Sequence, residues 1–179
     1  MNTSITEKGS QQSRSTLICS SYMESDFKGR AKPVLSVDYI VGLTDGEGCF
    51  YVNVSSSNRY NAGARVELRF MIKLQARDRE VLERVKETLG CGAVYFQKEV
   101  RRNHTQCFRY TVGSHGDILT NVIPFFLRHP LQSPSKRASF LAFCRIAQLV
   151  EQKAHLTTDG VHEIYRLKVN MNQRMTGLA

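Results

Sequence analysis

Two carboxylates, those of Asp45 and Glu47, stand among glycines in residues 40–48, which read IVGLTDGEG. The apolar residues before them predict a helix, with Ser36 as its N-cap and Asp38 in its first turn, where a negative charge suits the helix dipole. The alternation of apolar and polar residues over 49–57 predicts a half-buried strand. A helix that runs directly into a strand would present an acid at the junction.

An acid in that position suits a magnesium site for phosphodiester hydrolysis, because Mg²⁺ prefers hard oxygen ligands and keeps several waters. One carboxylate per chain is too few for the ion, and a nuclease that cuts duplex DNA needs a site for each strand. Two copies of the helix would therefore have to meet around a two-fold axis. Gly42 and Gly46 are small enough to allow that approach.

The charge balance points to a polyanionic partner, since 25 Lys and Arg against 16 Asp and Glu give a net charge of +9 in 179 residues. Charge that only aids solubility is the alternative. The scattered cysteines contain no C-x-x-C pair, which favours reduced thiols in an intracellular protein and argues against a soft-metal site. No run of about 18 apolar residues is present, so the sequence predicts no membrane helix.

The chain divides into an arm and a domain. Residues 1–33 are polar, lack an apolar periodic face and end in a basic run, which predicts a flexible basic arm. The arm is either a leader without a role or a segment that tracks phosphates. Residues 34–179 form the predicted domain.

Four segments alternate as strands with one apolar face: 49–57, 65–74, 93–100 and 107–112. Phe96 and Phe108 fall on the inward side. The outward side carries arginine, amide and hydroxyl groups, which are the groups that pair with base edges and phosphates. An ordinary solvated face is the alternative, although such a face usually carries more Asp and Glu.

Helices are predicted around and after these strands. The first is at 76–89, with Gly90 as its stop. Later ones are predicted at 115–127, interrupted by Pro124, at 135–152, and at 158–171 with Thr158 and Asp159 as the cap. Lys136 and Arg137 stand at the start of the 135–152 helix, where cations oppose the dipole, and this placement indicates a nearby anion.

These residues resemble the LAGLIDADG homing endonucleases. IVGLTDGEG is identical to the family motif at Gly42, Leu43, Asp45 and Gly48, and it replaces the last acid by Glu47. The resemblance extends from about residue 37 to residue 172. It implies an α+β fold of the order αββαββα, a saddle whose four-stranded antiparallel sheet lies in the DNA major groove.

The resemblance also implies roles for individual residues. Glu47 and the carbonyl of Gly46 would bind Mg²⁺, for which Mn²⁺ or Ca²⁺ substitutes as ligand. Gln75 would order the water network, and Lys136 would lie near the scissile phosphate. Single-motif members act as homodimers, and the predicted interface contains Gly42, Asp45 and Gly46, with Asp45 capping the helix end or its dimer partner.

The outward-facing set then gains a purpose as a surface for double-stranded DNA. The predicted base-reading residues are Tyr51, Asn53, Ser55, Ser57, Arg65, Glu67, Arg69, Lys73, Tyr95, Gln97, Arg109 and Thr111. The predicted phosphate contacts are Arg59, Arg101, Arg102 and Arg137.

The expected activity is Mg²⁺-dependent cleavage of a long, roughly palindromic site, with short 3′ overhangs, for intron homing. The expected location is a bacterial or archaeal cytoplasm or an organelle, without secretion, membrane attachment or a small-molecule substrate. The alternatives are a non-cleaving binder of the same fold, either an intron RNA maturase or a DNA-binding regulator, and a basic structural or ribosome-associated protein. Glu47, Gln75 and Lys136 together favour cleavage.

Overall fold

Helices and strands alternate in the order that the sequence predicts. The computed structural model describes residues 34–59, 62–100 and 105–172, so the predicted arm 1–33 lies outside the described residues. The first elements are α1 (Val37–Glu47), β1 (Gly48–Ser56), β2 (Ala64–Gln75), a 3-10 turn (Ala76–Asp78) and α2 (Arg79–Leu89). The remaining elements are β3 (Ala93–Gln97), β4 (Cys107–Val112), α3 (His115–Asp117), a π-helical turn (Ile118–Val122), α4 (Ile123–Arg128), α5 (Pro134–Glu151), a 3-10 turn (Ala154–Leu156) and α6 (Thr158–Asn172).

The four strands form one antiparallel sheet in the order β1-β2-β4-β3, which confirms the predicted α+β class. Strand β2 has 12 residues, and β1 pairs along it from Ala64 to Ile72. Strand β4 pairs only with its second half, from Phe70 to Gln75. The first half of β2 therefore extends past β4 as a two-stranded ribbon with β1.

The register of the sheet places the predicted outward residues on one face. Tyr51 lies opposite Arg69 across β1 and β2. Lys73 lies opposite Arg109 across β2 and β4, and Arg109 in turn faces Tyr95 of β3. Because side chains alternate between faces in a strand, this register puts all five on the same side of the sheet.

The opposite face of the sheet is covered by helices through a cluster of aromatic rings. The ring of Phe50 packs on Phe70, on Phe126 of α4, and on Phe140 and Phe143 of α5, with centroid separations of 5.2, 5.6, 5.1 and 5.4 Å. Each such pair stabilises the fold by about 0.5–1.5 kcal/mol beyond its buried area. The apolar face thus carries the core, and the polar face is left without a helical cover of this kind.

The junction of α1 and β1 depends on local geometry at both ends of α1. The Ser36 hydroxyl accepts a hydrogen bond from the Tyr39 N–H at 3.2 Å, as the sequence predicts for an N-cap. At the other end, a Cβ on Gly48 would lie 2.6 Å from the Thr44 carbonyl oxygen. Only glycine therefore lets the chain leave the helix and enter the strand at this point.

Three details differ from the sequence prediction. Strand β3 ends at Gln97, so Phe96 lies beyond the core; its side chain is 56% exposed, although it remains on the apolar face and contacts the Phe108 ring at 5.4 Å. The predicted helix 115–127 is interrupted, but by the π-helical turn Ile118–Val122 that ends just before Pro124; Pro124 itself occupies the first turn of α4. The Thr157 hydroxyl, and not Thr158 or Asp159, accepts from the N–H of Gly160 at 3.2 Å at the start of α6.

Among the described residues, no helix has the length and apolar character needed to cross a membrane.

Candidate active site and nucleic-acid interface

The end of α1 and the end of β2 meet at one groove. Glu47, the last residue of α1, is exposed and lines this groove together with Gln75, the last residue of β2. The groove has a volume of about 370 Å³, and its other lining residues are Lys73, Leu74, Arg77, Asp78 and Cys107. The structure therefore brings together the predicted metal-binding acid and the predicted water-ordering amide.

Lys136 reaches the same junction from the first turn of α5. Its ammonium group donates a hydrogen bond to the carbonyl oxygen of Gly48 at 2.5 Å. Gly48 directly follows Glu47, so the lysine lies beside the peptide that carries the acid. Glu47 and Gln75 thus share the groove, and Lys136 reaches the neighbouring residue Gly48 although it lies 89 positions after Glu47 in the chain.

Asp45 contacts a loop of its own chain. Its Oδ2 accepts a hydrogen bond from the backbone N–H of Gln132 at 2.8 Å. Its Oδ1 is buried and has no hydrogen-bond partner among the described residues. The predicted cap on the helix end is therefore not its observed contact; the carboxylate holds the loop that precedes α5.

Arg137, a predicted phosphate contact, is also engaged within the chain. Its Nε and Nη2 donate to the carbonyl oxygen of Leu131 at 3.0 and 2.8 Å. This two-donor contact uses one edge of the guanidinium, which has five N–H groups.

The donor set at the junction fits a hard, water-rich cation. Among the described residues, no three His, Cys, Asp or Glu side chains gather into a metal-binding group. Glu47 is exposed at an open groove, so a bound ion would keep waters and could receive further ligands from a second molecule. This arrangement suits Mg²⁺, which usually takes only one or two protein carboxylates.

Acids hold several of the cations on the polar face of the sheet. Glu67 pairs with Arg65 at 2.7 Å and with Arg69 at 3.3 Å. Lys73 pairs with Glu99, which also accepts from the Gln97 amide at 2.9 Å. Such pairs restrict where the long side chains point, which suits recognition of fixed groups better than a loosely solvated face.

The other predicted contact residues differ in exposure. Tyr51 and Tyr95 are 40% and 60% exposed, whereas Asn53, Ser55, Gln97, Arg109 and Thr111 are half-buried. Ser57 lies just after β1, and its N–H donates to the Gly63 carbonyl at 2.8 Å. Arg59 is exposed in the following turn, and Arg101 and Arg102 lie outside the described residues.

Sequence reasoning missed several residues of this surface. Cys49 and Cys107 share the polar face with the outward-facing Met71, and continuing the period-2 alternation by one step along β1 and β4 would have found them. Glu99 pairs with Lys73 across a separation of 26 positions, and no local pattern signals such a contact.

The exposed side of α1 carries both predicted interface glycines. Gly42 and Gly46 are exposed, and a Cβ at either position would meet no atom within 4 Å. Tyr39, which is 46% exposed, lies three residues before Gly42 on the same side of the helix. The opposite side of α1 is buried through Ile40, Val41 and Thr44.

Three of the groups with shifted pKa values lie away from the groove. Burial raises the pKa of the Cys144 thiol to about 12, and burial also raises the pKa of Tyr110. Burial lowers the pKa of His155, and the neighbouring His115 adds to that effect. None of the three lines the groove at Glu47, so these shifts belong to the packing of the domain.

Comparison with known proteins identifies the family. The sequence profile described as LAGLIDADG endonuclease matches residues 40–147. Probable intron-encoded endonuclease 3 of Neurospora crassa is 31% identical over 132 residues, which are 73% of this chain and 24% of that protein. Probable intron-encoded DNA endonuclease 1 of Mycosarcoma maydis is 32% identical over 114 residues, which are 64% of this chain and 38% of that protein.

Solved structures have the same fold. The homing endonuclease I-TnaI superposes with a TM-score of 0.69 at 35% identity, over 79% of this chain and 90% of that chain. I-SmaMI bound to its uncleaved DNA target in the presence of calcium ions superposes with a TM-score of 0.72 at 30% identity, over 81% of this chain and 47% of that chain. The chain spans 24–38% of the length of the curated relatives it matches. With the profile covering more than half of its residues, this chain belongs to the LAGLIDADG endonuclease family.

Proposed function

We propose that this chain is a homing endonuclease that binds a long, roughly palindromic DNA duplex as a homodimer and hydrolyses one phosphodiester in each strand, leaving short 3′ overhangs. The observation that carries the proposal is that Glu47 and Gln75 line one groove at the end of the polar sheet face, while Lys136 reaches the carbonyl of Gly48, the residue after Glu47. Glu47 and Gln75 supply an anionic metal ligand and an amide at the groove, and Lys136 supplies a cation at the adjacent Gly48. A DNA-binding protein without nuclease activity has no need of this combination.

Glu47, with the carbonyl of Gly46, would hold Mg²⁺. When bound there, the ion would supply Lewis acidity toward a phosphodiester and a site for an activated water. The Gln75 amide, with one acceptor and two donor hydrogens, would orient water in the groove. The Lys136 ammonium would face the negative charge that develops on the phosphate, and in the free protein the Gly48 carbonyl keeps it in place.

The polar face would read and hold the duplex. Arg65 and Arg69, kept in place by Glu67, lie on the ribbon of β1 and β2, which is narrow enough to enter a major groove. A half-site of one helical turn is about 10 bp, so two saddles would span about 20 bp. Two chains of +9 would bring +18 to the DNA, and binding should therefore weaken steeply with salt.

The unit of function would be two copies of this fold. The match to I-TnaI covers 90% of that chain, whereas the match to I-SmaMI covers 47%, which leaves room in I-SmaMI for a second unit of this size. The open surroundings of Gly42 and Gly46 would let a second α1 approach closely. Each groove, with its single metal-binding acid, would then gain ligands from the facing helix.

The relatives support an intron-borne origin. Several are named as intron-encoded endonucleases, and one from Podospora anserina is named as a protein in ND4 intron 1. We infer that this chain acts inside the cell, in the compartment that holds its host gene.

Cleavage of a library of candidate duplexes tests the proposal. Wild type should linearise its target with Mg²⁺, and Glu47→Gln should bind the same duplex in Ca²⁺ but fail to cut it. The matched control is Glu87→Gln, which removes an exposed carboxylate on α2 and should cut at the wild-type rate.

Three outcomes distinguish the possibilities. Undiminished cleavage by Glu47→Gln would remove the metal assignment. Binding without cleavage by wild type would favour a maturase or a DNA-binding regulator of the same fold. Mapping the cut ends on both strands would confirm or exclude the short 3′ overhangs.

A further inference from the structure

The segment Leu131–Ser133 is tied to both α1 and α5. Asp45 of α1 accepts the Gln132 N–H at 2.8 Å, and Arg137 of α5 donates twice to the Leu131 carbonyl. The Leu131 side chain is 1% exposed, so it fixes the segment in the core as well. Backbone and side chain together hold these residues from three directions.

The position of this segment sets where α5 begins. The Ser133 hydroxyl accepts from the N–H of Lys136 at 3.4 Å, and the Ser133 carbonyl accepts from the N–H of Arg137 at 2.9 Å. Lys136 therefore lies in the first turn of a helix whose start is fixed by Leu131–Ser133. A displacement of the segment would carry Lys136 with it.

The contacts close a loop through both helices. Lys136 reaches back to the Gly48 carbonyl, and Gly48 lies three residues after Asp45. The contacts therefore connect the junction of α1 and β1 with Lys136 twice, once through Leu131–Ser133 and once directly. Breaking the contact at Asp45 would also strand a carboxylate whose second oxygen is already buried and unpartnered among the described residues.

We infer that Asp45 and Arg137 are positioning residues that hold Leu131–Ser133 so that the Lys136 ammonium stays on the Gly48 carbonyl, next to the residue that bears the acid. The inference rests on the proposed function and adds two residues to it. It also reassigns Arg137 from a phosphate contact to an internal brace. A catalytic ammonium works only when held in a fixed geometry, since a misplacement of 1 Å costs about 100-fold in rate.

The substitution Arg137→Lys separates bracing from phosphate contact. Lysine keeps the positive charge but cannot present two planar donors to one carbonyl. We expect single-turnover cleavage at saturating enzyme to fall about tenfold, while affinity for the duplex in Ca²⁺ and the salt slope of binding stay at wild-type values. The matched control is Arg145→Lys on the same helix, whose guanidinium donates to the Gln148 side chain at 2.7 Å and should show no change in cleavage.

Asp45→Ala and Asp45→Asn test the other anchor. Asp45→Asn keeps an acceptor for the Gln132 N–H, so it should retain most of the cleavage rate. Asp45→Ala removes the acceptor, and its cleavage rate should fall at least as far as that of Arg137→Lys. Asp159→Asn, which alters an exposed carboxylate in the first turn of α6, is the control.

Two readouts need no cleavage, and they separate this inference from the proposed function. Amide hydrogen exchange at Gln132 and reductive methylation of Lys136, followed by mass spectrometry, should both speed up several-fold in Asp45→Ala and Arg137→Lys.

If both readouts stay at wild-type values in the two variants, the inference is overturned even when wild type cleaves. A direct phosphate contact by Arg137 would give a different result. Arg137→Met would then bind DNA more weakly, with its salt slope lowered by about one, and Arg137→Lys would bind as wild type. That result would also overturn the inference. A wild type that binds without cutting would defeat the proposed function alone, because the two readouts would still report the brace.

Discussion

The charged residues at the ends of α2 complement its helix dipole, whereas those at the end of α1 and the start of α5 oppose theirs. Helix α2 carries Glu80 in its first turn and Lys86 in its last, which is the stabilising arrangement. Helix α1 ends in Glu47, and α5 begins with Lys136 and Arg137 and has no acid in its first turn. Both groove helices therefore carry charges that oppose their dipoles at the ends that meet.

The comparison separates charges that serve the fold from charges that serve the groove. A charge that opposes the dipole costs about 0.3–1 kcal/mol at an exposed position. The end of α1 and the start of α5 meet where Lys136 donates to the carbonyl of Gly48, the residue after Glu47. The proposed function accounts for an arrangement that helix stability alone would disfavour.

Removing the lysine should have the largest effect. We expect Lys136→Met to lower single-turnover cleavage by about 10²–10³, the range for loss of one preorganised charge-stabilising group. The free energy of unfolding should change by less than about 1 kcal/mol, because the removed cation opposed the dipole of α5. Cleavage assays and urea denaturation measure the two effects, and a parallel loss of both would break the comparison.

Gly48→Ala should cause the largest loss of stability. The new Cβ would lie 2.6 Å from the Thr44 carbonyl and 2.8 Å from the Thr44 Cα, and backbone cannot yield as a flexible side chain can. We expect unfolding to become easier by about 1–3 kcal/mol, the usual cost of overpacking. Urea denaturation of Gly48→Ala beside wild type checks this, and an unchanged midpoint would contradict the geometry of the α1–β1 junction.

Gly42→Ala should stabilise the monomer and weaken the dimer. The Cβ meets no atom within 4 Å in the single chain, and alanine favours an exposed helix over glycine by about 1 kcal/mol. The unfolding free energy of the monomer should therefore rise, while the dimer dissociation constant should rise several-fold because the new methyl group intervenes between the two helices. Sedimentation equilibrium would contradict the predicted interface if dimerisation were unchanged.

Glu47→Gln and Glu80→Gln should shift stability in opposite directions. Neutralising Glu47 at the end of α1 should stabilise by about 0.3–1 kcal/mol, and neutralising Glu80 at the start of α2 should destabilise by a similar amount. Thermal unfolding at low salt measures both shifts. A shift in the same direction for both variants would show that the dipole does not distinguish these helices.

The smallest expected effect is the response to acid through His155, far from the opposed charges. Burial lowers the pKa of His155 in the folded state below its ordinary value near 6.5. The unfolded chain then binds more protons, so the stability contribution is present above about pH 6.5 and is lost as the pH falls. His155→Gln should reduce the drop in urea midpoint between pH 7.5 and pH 5.5; an identical drop would exclude this histidine as a source of acid sensitivity.

Local patterns predicted most of the fold. The N-cap at Ser36 and the stop at Gly90, whose φ is 69°, depend only on neighbouring residues, and the sequence therefore carries them directly. Period-2 alternation predicted the polar face of the sheet because one-face burial fixes the register. The exposure of Phe96 was not predictable in this way, since it depends on where the core ends and not on which face a residue occupies.

The groove was predictable only in part. The family resemblance predicted a common site for Glu47, Gln75 and Lys136; the structure places Glu47 and Gln75 in one groove and Lys136 on the neighbouring Gly48 carbonyl. The contact between Asp45 and Gln132 joins residues 87 positions apart and uses a backbone N–H, which any residue except proline provides. The residue types do not indicate such a contact, so the contacts that position Lys136 could be identified only from the structure.

The ribbon formed by β1 and the first half of β2 has a consequence for the evolution of target choice. Val52, Val54 and Leu68 anchor it through one face, and the Tyr165 hydroxyl donates to the Val54 carbonyl at 3.5 Å. Residues on its other face can change without disturbing that anchor or the groove. Under the proposed function, a lineage could therefore acquire a new DNA site by point substitution on the ribbon, while the residues of the groove and the fold are inherited unchanged.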